Sequence, residues 1–240
     1  ECGDDILSHQ QQYPVIFMTL KSAKQPDFQM AYGALADEIY NEFMRPRYVL
    51  QSNALLPIEK ERYENLLNRR AGKEELAKAF AFLSMCLFKY HGNKAVILID
   101  EYDVPLENAY FRGFYDEMIQ FIRSLFESAL KTNPYLERSV ITGCLRISKE
   151  SIFTGLNNLA IESVLSLNYP GAFGFTEPEV QEMMAYFDRA EKYPELKKCS
   201  KLSSTSVLVE HLFEQHCARN GRRSGRGLHQ QPACRYYQLL

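Results

Sequence analysis

An aspartate and a glutamate stand side by side at the end of an apolar run, Val96-Ile97-Leu98-Ile99-Asp100-Glu101. A divalent cation that bridges phosphate oxygens needs a hard oxygen ligand at a fixed point, and an aspartate at a strand end supplies one. A neighbouring glutamate can orient or deprotonate an attacking water. The apolar residues bury the strand and keep the two carboxylates from wandering. The competing reading is a buried strand whose polar end is merely solvated.

The elements around this pair follow from apolar spacing. Residues 13–20, YPVIFMTL, read as a buried strand. Asp27 can cap a helix whose apolar positions 28, 31, 35, 39 and 43 recur at helical spacing. Residues 59–69 read as a polar helix. A stronger helix spans 73–90, with Leu76, Phe80, Leu83, Leu87 and Phe88 on one face and His91-Gly92-Asn93 as its stop. The strand 95–99 follows. Residues 113–131 carry the clearest helical spacing, through Phe114, Met118, Ile122, Leu125 and Ala129, and Asn133-Pro134 ends it. Strands are expected at 136–143 and 162–169. Thr176 and Glu179 form a capping box ahead of Val180, Met183, Met184 and Phe187, which share a helix face.

Strands alternating with long helices predict an α/β fold, a parallel sheet covered on both faces. Such sheets bind ligands at the carboxyl ends of their strands. Asp100–Glu101 and Thr142–Arg146 both fall at such ends.

Composition sets the class. Of 240 residues, 46% are hydrophobic and 24% charged, as in ordinary globular domains. No apolar run is long enough to cross a bilayer, and residues 1–10 have no secretion signal, so a cytoplasmic location is expected. The first residue is Glu1, which points to a chain that begins inside a longer protein. Six cysteines, with no C-x-x-C pair, read as reduced and mostly buried thiols. The net charge of −2 conceals an asymmetry: all 30 acidic residues lie at or before Glu214, whereas Arg219, Arg222, Arg223, Arg226 and Arg235 follow it. The acidic body gives no electrostatic reason to bind nucleic acid; only the tail does.

The stretches VILIDEYDVPLENAY, GFYDEMIQFIRSLFESALKTN, VITGCLRISKESIFTGLNN and FGFTEPEV together resemble the bacterial AAA-ATPase-like family, a branch of the P-loop NTPases. The resemblance covers roughly residues 13–198. It implies a P-loop-NTPase-like parallel sheet flanked by helices, with ATP and Mg as cofactors. Asp100 is then the Walker B metal carboxylate and Glu101 the catalytic-water carboxylate. Asp103 either shapes the site and holds a water or is a surface-turn aspartate. Thr142 and Arg146 lie where such folds place a polar sensor. Arg146 either reads the γ-phosphate, whose geometry a guanidinium matches, or pairs with Glu150 or the acidic turn. FGFTEPEV resembles the start of the helical lid. The division implied is a core over 1–175 without its phosphate loop, the start of a lid over 176–198, and a basic tail over 199–240.

The phosphate loop itself, G-x-x-x-x-G-K-[ST], is absent from the 240 residues; Ala71-Gly72-Lys73-Glu74 lacks the preceding glycine and ends in Glu. Its backbone N–H groups and lysine carry most of the grip on a polyphosphate. The chain alone is therefore expected not to bind ATP tightly, and a fragment fits better than a degenerate enzyme.

After residue 198 the composition changes abruptly, in mid-motif for the family. Three readings compete: a basic arm for nucleic acid, a metal site from His211, His216, Cys217, His229 and Cys234 at spacings that match no zinc pattern, and a sequence read out of frame. The third is favoured, because the break falls inside the motif. Full-length relatives often carry a C-terminal restriction-nuclease-like domain, which implies a nucleic-acid or protein partner for the parent, and no part of it is recognisable here. The parental function expected is ATP hydrolysis driving conformational change. The alternative is a non-catalytic interaction module that keeps the sheet.

Overall fold

The computed structural model of the chain describes residues 4–144, 152–153, 159–163, 175–199 and 236–239. Its elements in order are α1 (Asp4–Leu7), β1 (Val15–Thr19), α2 (Phe28–Met44), α3 (Pro57–Leu67), α4 (Lys73–Ala77), α5 (Ala79–His91), β2 (Ala95–Asp100), α6 (Val104–Arg112), α7 (Tyr115–Phe126), β3 (Leu136–Gly143), β4 (Ala160–Ser163), α8 (Glu177–Tyr186), α9 (Tyr193–Cys199) and β5 (Tyr236–Leu239). They divide into two compact units, residues 1–161 with 234–240, and residues 162–233.

The first unit is built on a parallel sheet, as the alternation of strands and helices predicts. Val15 to Thr19 face Val96 to Asp100, and Ile99 faces Ile141. β5, from the basic C-terminal stretch, runs antiparallel along the other edge of β3. Residues 200–235, with the histidines and cysteines of the tail, lie outside the described residues. The strand expected over 162–169 is described only to Ser163, as part of β4.

One face of the sheet is dry. Ile16, Met18, Ile97, Ile99 and Ile141 are all buried and pack with Leu35, Ile39 and Phe43 of α2, Phe80 and Leu83 of α5, and Met118, Ile122 and Leu125 of α7. The helix contributions recur at three-four spacing, so each helix lays one stripe on the core. On the opposite face the cover is thinner among the described residues: Phe17 is 48% exposed, and Leu98 and Val140 are half-buried. Topology explains the difference. The chain steps β1, β2, β3 in one direction, and right-handed crossovers then put both connections on the same side.

Two helices depart from the sequence reading. The helix expected over 113–131 starts at Tyr115, after an unforeseen α6 that carries Pro105 in its first turn and ends at Gly113, with φ +85°. α7 then runs on as a π-helical turn, Glu127–Lys131. The helix expected over 73–90 is broken at Lys78 into α4 and α5. Asn133 is a buried stop: its side chain donates to Ala129 O and Ser84 Oγ, each at 3.0 Å, and accepts from Tyr135 N at 3.1 Å.

The outer edge of β1 is closed by side chains. Phe17 N–H donates to Glu42 Oε1 at 3.0 Å, and Arg45 Nη2 donates both to Val15 O and to Glu42 Oε1. These groups stand where a neighbouring strand would otherwise pair.

In the second unit, the N–H and Oγ1–H of Thr176 donate to Glu179 Oε2 at 2.7 and 2.8 Å, so the capping box forms. Val180 and Met184 are buried against Met183, Tyr193 and Leu196. Phe187 leaves the shared face and is 65% exposed, because α8 has already ended at Tyr186.

Candidate functional site

Asp100 is the last residue of β2, and Thr142 the penultimate residue of β3. The register that pairs Ile99 with Ile141 brings the two side chains together. Asp100 Oδ1 accepts from Thr142 Oγ1–H and, at 3.0 Å, from Glu101 N–H. Its backbone carbonyl accepts from Leu20 N at 2.9 Å, which ties the exit of β1 to the same point.

The turn that follows is unusual. Glu101 has φ +55°, in the left-handed region that a non-glycine residue occupies at a cost of roughly 1–3 kcal/mol. Its carbonyl accepts from Val104 N at 3.2 Å, at the start of α6. Tyr102 is fully buried, donates its N–H to Thr142 O at 3.1 Å, and sets its ring edge-on to Phe153, with centroids 5.4 Å apart.

Asp103 is 1% exposed, and its Oδ2 accepts from Cys144 N–H at 3.0 Å. It is therefore not a surface-turn residue, because β3 packs over it. Gly143 makes this close approach possible. A Cβ there would lie 2.5 Å from Tyr102 Cε1 and 2.7 Å from Asp103 Oδ1.

Asp100, Glu101 and Thr142 share the rim of a shallow concavity of about 330 Å³ on the half-covered face, floored by Phe17, Leu98 and Val140. Asp103 does not line it. Arg146 and Glu150 lie outside the described residues. The structure thus gathers three of the five residues singled out in the sequence and sets a fourth behind them. Tyr102 and Gly143 went unnoticed in the sequence. A glycine ending a β-branched strand is a recognisable sign of close backbone approach.

Among the described residues, no Lys or Arg lines the concavity. Among the described residues, no cluster of three or more His, Cys, Asp or Glu side chains forms a metal cage. An oriented carboxylate beside a hydroxyl could hold a hard cation that takes its remaining ligands from phosphates and water.

Among the described residues, no helix is long and apolar enough to cross a membrane. The buried Cys86 thiol is pushed up to about 12 by desolvation, which makes it an inert core group.

A parallel sheet with an acidic pair at one strand's carboxyl end and a polar residue at the next defines an α/β domain of the P-loop-NTPase-like class. More narrowly, the chain belongs to the AAA-ATPase-like family: the family described as Predicted AAA-ATPase matches residues 3–153, which include the whole rim. The "Uncharacterized protein in vnfD 5'region" of Azotobacter chroococcum mcd 1 is 34% identical over 95 residues, 39% of this chain and 18% of that protein. The chain thus spans well under two thirds of that curated relative. No solved structure matches the chain significantly.

Proposed function

We propose that this chain carries the acidic half of a site that binds and hydrolyses ATP with Mg²⁺ and couples turnover to conformational change in a bacterial, cytoplasmic parent protein. The observation that supports this most is the Thr142–Asp100 hydrogen bond beside Glu101 at the rim of the concavity. Asp100 presents a hard oxygen whose direction is fixed by two donors. Glu101, on the same rim, orients the attacking water and accepts its proton. Bound Mg²⁺ would neutralise charge on the phosphate oxygens.

The phosphate grip comes from elsewhere. The 240 residues hold no G-x-x-x-x-G-K-[ST], and the described residues of the lining include no Lys or Arg. Unaided, two carboxylates repel a polyphosphate by about 1 kcal/mol per charge pair at 4 Å even in bulk water. A phosphate-binding loop encoded upstream of residue 1 would supply the missing N–H groups and lysine. Calorimetry tests this with the chain alone and with a protein extended by its upstream coding sequence. Weak binding alone and Mg²⁺-dependent binding after extension support the reading; submicromolar ATP affinity of the chain alone contradicts it.

The exposed Phe17 on the open face favours a second reading, a non-catalytic interaction module that binds a protein partner through the sheet. A G-K-[ST] motif upstream supports the ATPase, and its absence supports the module.

A further inference from the structure

We propose that Asp103 is a positioning residue: its buried carboxylate fastens the exit of β3 to the turn after β2, and thereby holds Thr142 on Asp100 and aims the Asp100 carboxylate at a divalent cation. The proposal rests on the reading of Asp100 as that cation's ligand.

Burying a carboxylate costs several kcal/mol unless hydrogen bonds compensate it. Asp103 is 1% exposed and does not line the concavity, and Cys144 N–H is a backbone donor that compensates its burial. The exit of β3 is pinned on both sides of Gly143. Before it, Thr142 O accepts from Tyr102 N at 3.1 Å; after it, Cys144 N donates to Asp103 Oδ2 at 3.0 Å. Between these pins the absent Cβ lets the backbone rest on Tyr102 and Asp103. The two pins fix the Thr142 backbone at a place from which its hydroxyl reaches Asp100 Oδ1. Without the Asp103 pin the strand end keeps its bond to Tyr102 and its pairing with β5, but the backbone just past Gly143 is released and the aim of the hydroxyl loosens.

The test uses amide NMR of the chain with Mn²⁺ alone as probe. Paramagnetic broadening detects even weak cation binding, and surface carboxylates elsewhere serve as internal references. Broadening of the Glu101 and Thr142 amides is expected, and Asp100→Asn should abolish it. Asp103→Ala should strip exchange protection from the Cys144 amide and weaken the Mn²⁺ effect at Asp100 about fivefold, the value of one positioning hydrogen bond. Asp103→Asn keeps an acceptor for Cys144 N–H and should restore both. If Asp103→Ala does not fold, Asp103→Ser, whose hydroxyl is one bond too short, takes its place.

An undiminished Mn²⁺ effect in the Ala or Ser variant overturns the proposal, because Asp103 is then only structural. An Asn variant as weak as the Ala variant overturns it too, because charge rather than the acceptor would be at work. In both cases Asp100→Asn still abolishes binding, and the nucleotide reading stands. Broadening that is absent, or that survives Asp100→Asn, removes the reading and the proposal together.

Discussion

Thr142, on β3, donates its hydroxyl hydrogen to Oδ1 of Asp100, on β2, and so joins the ends of two adjacent parallel strands through side chains. That bond sets the orientation of one carboxylate at the rim of the sheet. Thr142→Val keeps the shape and removes the donor. Urea unfolding should show a loss of about 1 kcal/mol, because a hydrogen bond to a charged group is given up at a half-buried site. Unchanged stability would mean that water replaces the hydroxyl without cost.

Gly143→Ala should be more damaging. The added methyl would sit 2.5 Å from the ring of a fully buried tyrosine, Tyr102. Overpacking of this kind costs about 1–3 kcal/mol, and thermal unfolding measures it. A fully stable alanine variant would show that the turn yields easily and that the lock between β3 and Asp103 is loose.

Arg45→Ala removes the donor to Val15 O and leaves the nearly buried Glu42 with the Phe17 N–H but without its cationic partner. A loss of about 1–2 kcal/mol is expected in denaturant titration. The edge of β1 is also partly freed, so sedimentation velocity should reveal stronger concentration-dependent association than in the unsubstituted chain. A variant as stable as the unsubstituted chain, with the same sedimentation behaviour, would show that the edge needs no guard.

The Glu59 carboxyl is pulled two ways. Burial raises its pKa, but the hydrogen bonds from Lys89 and from Leu56 N–H outweigh this and hold it below the usual value of 4.5. A depressed carboxyl stabilises the fold above the unfolded value and loses that contribution as pH falls through the folded one. Glu59→Gln should therefore be less stable than the parent at pH 7, with the gap closing below about pH 4.5. A gap that stays constant into acid would show that the pair contributes nothing through its charge.

Local signals made most elements legible. β3 falls where residues 136–143 predicted it, because a β-branched run between Asn133-Pro134 and a glycine leaves little choice. α2 begins after Asp27, which accepts from Met30 N at 2.9 Å as a cap should. α6 was missed because nine residues with a proline near the start look like a turn, and Gly113 was read as the first residue of a helix when it is the left-handed stop of the one before. The half-covered face was missed for a different reason. The alternation in VIFMT and AVILID says that both faces are apolar, but which face meets helices depends on crossover hand and strand order. The Asp100–Glu101–Thr142 rim was readable from strand ends alone. Burial of Asp103 was not, because it depends on β3 arriving 40 residues later with a glycine at the contact.

The most direct test of the account is a pair of substitutions in the protein extended to include a phosphate-binding loop, with ATP binding and turnover measured together. Glu101→Gln should keep Mg²⁺-dependent ATP binding and slow turnover by about a hundredfold or more, as loss of a proton acceptor does. Asp100→Ala should weaken the Mg²⁺-dependent binding itself. Turnover at the unsubstituted rate in both variants would contradict the account, because the two carboxylates at the end of β2 would then have no part in the chemistry.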